Sequence, residues 1–311
     1  MLKLNPLSPS STIGIVAPAS AEDPNIIDKK ILEFEELGFN VKKGKHIYDK
    51  YGYLAGTDSN RAEDLMDMFI DNSIDAILCL RGGYGSMRMI PYLNLKTIKQ
   101  NPKPFCGYSD ITLLLNYISK KCNFATFHAP MITSNFKDSV TQDYFINTLT
   151  NHNMNFYNLK KISNNKITYI NKNNFNGKLV GGNLSIICSS IGTPYELNFK
   201  NSIVLIEEID ESPYAIDRML TQLIYSGKLK HSSGIILGDF TNCTSKNKNS
   251  AEFNIDEVIN QKLSQLKIPV IKGFPIGHSY PNVTLPIGSK LSFNYKNDLL
   301  NISENIFKNS K

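Results

Sequence analysis

The chain has 311 residues, long for one domain and comfortable for two. Hydrophobic residues make up 41% and charged residues 20%, the profile of an ordinary globular protein, and with Trp absent the 15 Tyr and 16 Phe supply the large core side chains. The net charge of +6 arises from 34 basic and 28 acidic residues scattered without a basic block, so a nucleic-acid partner is not expected.

The first 125 residues alternate strand and helix signals. Thr12 to Ala17 reads as a short buried strand, and Asn25 to Leu37 as an amphipathic helix closed by Gly38. Val41 to Gly44 is a second strand, Asn60 to Asn72 has helical spacing, and Ala76 to Leu80 is a third strand. Gly85 to Leu93 opens another helix, before a strand at Lys103 to Gly107 and a helix from Asp110 to Ile118. Apolar strands separated by helices predict βαβ units and a parallel sheet covered on both faces. Ligands on such sheets gather beyond the carboxyl ends of the strands.

Residues 151–176 change character: ten of these 26 are Asn, a turn- and loop-forming composition. The expected organisation is therefore an N-terminal α/β domain over 1–150, a connector over 151–176 and a second domain over 177–311. In the second, Lys178 to Gly182 leads to a helix at Asn183 to Ile191, a strand at Ile203 to Glu207 and a helix at Tyr214 to Ser226. Strands at Gly234 to Phe240, Val270 to Phe274, Lys290 to Tyr295 and Leu299 to Ile302 complete a mixed domain.

The five cysteines (Cys79, Cys106, Cys122, Cys188, Cys243) are widely spaced and contain no Cys-x-x-Cys pair, which reads as free thiols in a reducing cytoplasm with no metal site. No apolar run approaches the ~20 residues that cross a bilayer, and Met1 to Ser20 reads as a first strand rather than a signal peptide. A cytoplasmic protein without a membrane partner is expected.

Candidate chemistry concentrates in a few places. Tyr108-Ser109-Asp110 sits where a strand meets a helix. A serine there is expected to cap the helix, and it also holds its hydroxyl where unpaired N–H groups and the helix dipole favour developing negative charge. Arg81-Gly82-Gly83-Tyr84-Gly85 follows a strand and lets backbone amides approach a ligand; it is neither a dinucleotide nor a Walker A loop. The amides of Gly83 and Asp110 are candidate oxyanion donors. Only four basic residues are Arg (Arg61, Arg81, Arg88, Arg218), and in a Lys-dominated chain an Arg points to a geometric need for its planar fork.

A serine nucleophile needs a base and the base an orienting acid. Of the five His, His46, His152 and His231 read as solvated, whereas His128 and His278 sit in loops near apolar strand ends. The run Ile203-Val204-Leu205-Ile206-Glu207-Glu208 brings acids to a strand exit, and alternation sends Glu207 and Glu208 to opposite faces.

Together the blocks Gly14 to Ser20, Ala76 to Ser86, Gly107 to Thr112, Gly177 to Asn183, Glu207 to Arg218 and Gly277 to Gly288 resemble the LD-carboxypeptidase family of serine peptidases, which includes murein tetrapeptide carboxypeptidases and microcin immunity peptidases. The resemblance covers nearly the whole chain. It implies an N-terminal Rossmann-like, flavodoxin-like domain and a C-terminal mixed β/α swivelling domain. It places the nucleophile at Ser109, the triad acid at Glu207 with Glu208 as the alternative, and the base at His278, so that the site is an inter-domain cleft. The segment Phe127-His128-Ala129-Pro130 departs from the family, which commonly has Gly where Ala129 stands.

The activity so implied is release of the terminal D-alanine from murein tetrapeptides during cytoplasmic peptidoglycan recycling, with no cofactor or metal and with a homodimeric state. Gly82, Gly83 and Asp110 would line the oxyanion, and Arg81 would meet the substrate carboxylate. The alternatives are an immunity-type peptidase acting on peptidyl-nucleotide antibiotics and a non-catalytic peptide-binding protein. The absence of Trp favours the murein type. An esterase is disfavoured, since Ile111 stands where G-x-S-x-G requires Gly.

Overall fold

The computed structural model describes residues 1–150, 156–162, 167–245 and 252–308. The chain divides into two compact units, one of Met1–Met154, Val283–Gly288 and Asn305–Lys311, the other of Asn155–Asn282 and Ser289–Glu304.

In the first unit, β1 (Thr12–Val16), α1 (Pro24–Glu35), β2 (Asn40–Lys43), α2 (Asp58–Ile70), β3 (Ala76–Cys79), α3 (Ser86–Met89), α4 (Leu95–Gln100), β4 (Phe105–Gly107), α5 (Thr112–Cys122), β5 (Thr126–His128) and α6 (Ser139–Thr150) follow one another. The helices start where the side chains provide for it: the carboxylate of Asp23 and the hydroxyl of Thr57 accept the first free amides of α1 and α2. The five parallel strands lie in the order β2-β1-β3-β4-β5, the flavodoxin-like arrangement. The strand order reverses direction at β1. Right-handed crossovers therefore send α1 to one face and α2, α4 and α5 to the other.

The core follows that layering. Phe34 of α1 meets Phe145 of α6 and Phe136 on one side, while Phe69 of α2 meets Phe105 and Phe124 on the other. One sheet edge, β2, carries Lys42 and Lys43, a charge that discourages further strand pairing. The other edge is closed by Leu285–Ile287, which returns from far down the chain to pair antiparallel with β5. Its Pro286 is tolerated because an edge strand needs donors on one side only.

The second unit holds β6 (Phe156–Asn158), α7 (Leu159–Ile162), β7 (Thr168–Ile170), β8 (Phe175–Asn183), α8 (Leu184–Ser190), β9 (Ser202–Ile209), α9 (Pro213–Tyr225), β10 (Gly234–Thr241), α10 (Ile255–Leu263) and β11 (Val270–Lys272). After the excursion of Leu285–Ile287 (β12) to the first sheet come β13 (Lys290–Asn294) and β14 (Leu299–Ile302). The sheet is mixed: β8, β9, β10 and β11 run parallel, and β6, β14, β13 and β7 are added antiparallel at its flanks. The core strand β9 is buried over Ser202 to Glu208, as an aliphatic strand covered on both faces should be. The two-domain α/β architecture expected from the sequence is the architecture observed.

Two boundaries differ from the expected ones. The Asn-rich stretch 151–176 is not a bare connector: β6, α7 and β7 within it belong to the second unit, although 151–155 and 163–166 lie outside the described residues. Their pairing partners β14 and β11 are 100 or more residues away, so no local pattern signals them. Nor is 177–311 one continuous domain, since 283–288 and 305–311 belong to the first unit.

All five cysteines are buried and unpaired with one another. Burial pushes the thiol pKa of Cys122 and Cys243 up to about 11 and that of Cys188 to about 12, and raises Cys79 and Cys106 as well. The native protein at pH 8 is thus expected to resist a disulfide exchange reagent over hours, and to titrate five thiols at once when denatured. Rapid stoichiometric labelling of any cysteine in the native state would contradict this packing.

Candidate active site

Each unit contributes a distinct group of candidate residues. Ser109, Asp110, Arg81, Gly82 and Gly83 lie in the first unit, and Glu207 and His278 in the second.

The first group occupies the carboxyl ends of β3 and β4, beside the point where the strand order reverses. Ser109 follows Tyr108 off the end of β4 and opens a single 3-10 turn, Ser109–Ile111, ahead of α5. Its φ of 61° is left-handed, a conformation that costs a non-glycine residue ~1–2 kcal/mol. The expectation that Ser109 caps the helix is corrected here. No side-chain capping bond forms at the start of either the 3-10 turn or α5, and among the described residues the Ser109 hydroxyl has no hydrogen-bond partner. The turn spends backbone strain to present an uncommitted hydroxyl, as a nucleophile elbow does.

Gly82 packs directly on this serine: a Cβ at position 82 would lie 2.9 Å from Ser109 Cβ and 3.0 Å from its Oγ. Gly83 has φ 110° and leans on Ser20, whose Oγ would stand 2.2 Å from an added Cβ. Among the described residues the Gly83 amide donates to nothing. Asp110 turns inward and is 3% exposed. Its Oδ2 accepts the Ser86 amide at 2.8 Å while the Ser86 hydroxyl donates to the Asp110 carbonyl at 2.6 Å, tying the glycine loop to the serine turn. Burial pushes the Asp110 carboxyl up, opposed by the Ser86 and Gly85 hydrogen bonds and by the charge of Arg61.

Arg61, 1% exposed, holds the frame from below. Its Nη1 donates to the carbonyls of Pro18 and Gly85, and its Nη2 pairs with Asp58. Burial lowers its pKa, and the Asp58 charge restores part of the loss. Arg81 is half-buried; its Nη1 meets Glu22 Oε2 at 2.7 Å and the Ala21 carbonyl at 3.3 Å. Its Nε and Nη2 bond to no described residue.

In the second unit, Glu207 lies near the end of β9 and is 0% exposed. Its Oε2 is 2.8 Å from Nδ1 of His278, on the loop after β11. A hydrogen bond donated by Nδ1–H to this carboxylate leaves Nε2 as the ring's acceptor nitrogen. Glycines allow the approach: a Cβ at position 277 would be 3.1 Å from Glu207 Oε2, and one at 238 would be 3.1 Å from Glu207 Cβ. The Gly277 amide donates to buried Asn282 at 3.2 Å, bracing the loop that carries the histidine. Glu207 Oε1 is buried with no hydrogen-bond partner among the described residues.

Glu208 points the other way, as the pleat requires. Its carboxylate receives Asn183 Nδ2 and the Ser185 amide at 2.8 Å and the Ile209 amide at 2.9 Å, pinning the start of α8. Burial raises its pKa, while these donors lower it. It is therefore Glu207, not Glu208, that faces His278.

The other histidines stand elsewhere. His128 is fully buried on β5 and stacked on Tyr108 with ring centroids 5.7 Å apart. His46 is half-buried beside Asp49, His231 is exposed, and His152 lies outside the described residues. Sequence reasoning did not single out Ser20, Ser86 or Asn282. Ser20 carried a usable signal, since it closes the loop after β1, where such sheets bind ligands. Among the described residues no cluster of His, Cys, Asp or Glu suited to a metal ion occurs, and no helix is long and apolar enough to cross a membrane.

The first unit thus presents a serine on a strained strand-to-helix turn, and the second a histidine on a buried carboxylate, residue types that acyl transfer uses. Comparison with known proteins gives the chain a family. Residues 13–129 match the LD-carboxypeptidase N-terminal domain, and residues 176–293 the LD-carboxypeptidase C-terminal domain. The chain belongs to the LD-carboxypeptidase family, and it is a peptidase. It is 38% identical over 291 residues to the probable murein peptide carboxypeptidase of Bacillus subtilis (strain 168), covering 93% of this chain and 90% of that one. Among solved structures, the microcin C7 self-immunity protein MccF in complex with aspartyl sulfamoyl adenosine aligns with a TM-score of 0.89 at 25% identity, over 99% of this chain and all of that one. The muramoyltetrapeptide carboxypeptidase from Oxalobacter formigenes aligns with a TM-score of 0.82 at 25% identity, over 94% of this chain and 99% of that one.

Proposed function

We propose that this protein is a serine carboxypeptidase that releases the terminal D-alanine of murein tetrapeptides by cutting an L,D-peptide bond. The observation that carries the reading is the pairing of half-buried His278 with buried Glu207, which supplies an oriented imidazole to a family whose members include murein carboxypeptidases.

Ser109 Oγ attacks the scissile carbonyl carbon as His278 Nε2 takes its proton, with Glu207 holding the resulting imidazolium. The carbonyl oxygen, now an oxyanion, is met by the N–H groups of Gly83 and Asp110, with Gly82 leaving room for it. The C–N bond then breaks, His278 returns the proton to the leaving amine, and D-alanine departs. Water, activated by the same imidazole, hydrolyses the acyl-serine and restores the hydroxyl. The free Nε and Nη2 donors of Arg81 take the substrate's terminal carboxylate, with Glu22 holding the guanidinium in place. No metal or cofactor enters these steps. The setting is peptidoglycan recycling in the cytoplasm, and the protein works as a homodimer.

Incubation of the protein with a murein tetrapeptide, followed by mass spectrometry, tests the reading. Loss of one alanine from the C-terminus is expected. The likeness to MccF favours a second reading, cleavage of a peptidyl-nucleotide conjugate. An intact tetrapeptide beside a cleaved conjugate would replace the first reading with the second. Binding of both without cleavage would leave a non-catalytic peptide-binding protein.

A further inference from the structure

We infer that Ser20 is a positioning residue for the oxyanion donor of this site. The inference rests on the acyl-transfer reading above and adds a residue that forms no part of the triad.

The geometry is a two-point clamp across three residues. The Ser20 amide donates to the Gly82 carbonyl at 3.3 Å, and the Ser20 hydroxyl oxygen accepts the Tyr84 amide at 3.1 Å. The residue between those anchors is Gly83, whose own amide bonds to no described residue. Ser20 thus occupies both flanking backbone groups, the Gly82 carbonyl with its own amide and the Tyr84 amide with its side chain, and leaves the central N–H for a ligand. Gly83 at φ 110° lies against Ser20, and Gly82 lies against Ser109, so a shift of Ser20 reaches the serine through two successive contacts. The clamp itself is held rigid, because Arg61 donates to the carbonyls of both Pro18, two residues before Ser20, and Gly85, one residue after Tyr84.

A donor counts in catalysis to the extent that it is already aimed where charge will develop. Without the Ser20 oxygen the Tyr84 amide loses its acceptor, and the glycine loop, which has no side chain to hold it, is free to rotate its peptides. The loss falls on the transition state, where the oxyanion exists, and leaves ground-state binding of the peptide nearly intact.

The test compares wild type, Ser20→Ala and Ser20→Thr on a murein tetrapeptide. Ser20→Ala is expected to lower kcat about 10- to 100-fold, less than outright loss of an oxyanion donor, with KM within about twofold. Affinity for a peptide boronic acid, which forms a tetrahedral adduct, is expected to fall by the same factor as kcat/KM. Ser20→Thr keeps the acceptor oxygen and is expected to retain kcat within about threefold.

Combined with Gly83→Ala, Ser20→Ala should add little further loss, because both act on one donor. An unchanged kcat in Ser20→Ala, full additivity with Gly83→Ala, or a rise in KM with kcat unaltered would each overturn the inference. If Ser20→Ala does not fold, a Ser20→Thr enzyme with kcat as low as Gly83→Ala overturns it equally. If the wild type itself leaves the tetrapeptide intact, the functional reading fails and the inference falls with it; if wild type cuts and Ser20→Ala matches it, only the inference fails.

Discussion

Ser109→Ala is expected to lower kcat/KM on a murein tetrapeptide by about 10⁴-fold or more, to the residual rate that binding and oxyanion donors alone support. Thermal stability is expected to stay within about 2 °C of wild type. The reason for the second expectation is structural. The hydroxyl has no hydrogen-bond partner among the described residues, so its removal leaves no buried group unsatisfied. Alanine retains the Cβ that makes φ 61° costly, so the backbone strain is the same in both proteins. Steady-state kinetics with calorimetry reads both quantities. A variant that kept more than about a hundredth of wild-type turnover would remove Ser109 from the chemistry.

Glu207→Gln is the second large effect, an expected fall in kcat of about 10³- to 10⁴-fold. The amide oxygen of glutamine can still accept from His278 Nδ1, but the neutral side chain no longer stabilises an imidazolium. If the amide instead presents its NH₂ group to the ring, it favours the wrong tautomer. This variant also pays in stability, unlike Ser109→Ala. Either the NH₂ takes the buried Oε1 position, where no described residue offers it an acceptor, or it faces the Nδ1–H of His278 donor to donor. A cost of about 1–3 kcal/mol follows, read as a lowered Tm. The neighbouring carboxylate provides the contrast. Glu208→Gln would place an NH₂ against the donors of Asn183, Ser185 and Ile209, so its main effect is expected on folding. If Glu208→Gln lost kcat as deeply as Glu207→Gln at equal Tm, the assignment of the orienting acid would be wrong.

Much of the architecture can be read along the chain. The aliphatic runs at Ile13 to Val16, Ala76 to Cys79, Ile203 to Ile206 and Gly234 to Leu237 became the buried parallel strands, because a strand covered on both faces has no room for polar residues. Of the strands that escaped, β5 is a three-residue segment beside its partner β4, and its His128 had read as a loop residue, whereas the others draw their stability from distant partners. β6 and β7 are three-residue segments in an Asn-rich stretch, and β12 is three residues containing a proline, paired to a strand more than 150 positions earlier. Local composition carries no trace of such pairings. The same division holds for the candidate site. Ser109 announced itself by its place at a strand-to-helix junction, and the glycine loop by its lack of side chains. The rarity of Arg in this chain pointed to geometric roles, and Arg61 has one, bonded to two carbonyls and an aspartate while buried.

By itself the sequence determined the alternating strand–helix plan, the family and the residue types able to perform acyl transfer, since these depend on local periodicity and on motifs in a given order. Only the tertiary structure decided which of two adjacent glutamates meets the histidine, because that depends on strand pleat and on the loop that brings His278 to β9. It also decided that Ser109 is held by strain rather than by a cap, and that Ser20 and Arg61 frame the glycine loop. Those facts arise from contacts between segments far apart in the chain, where geometry has no local signature.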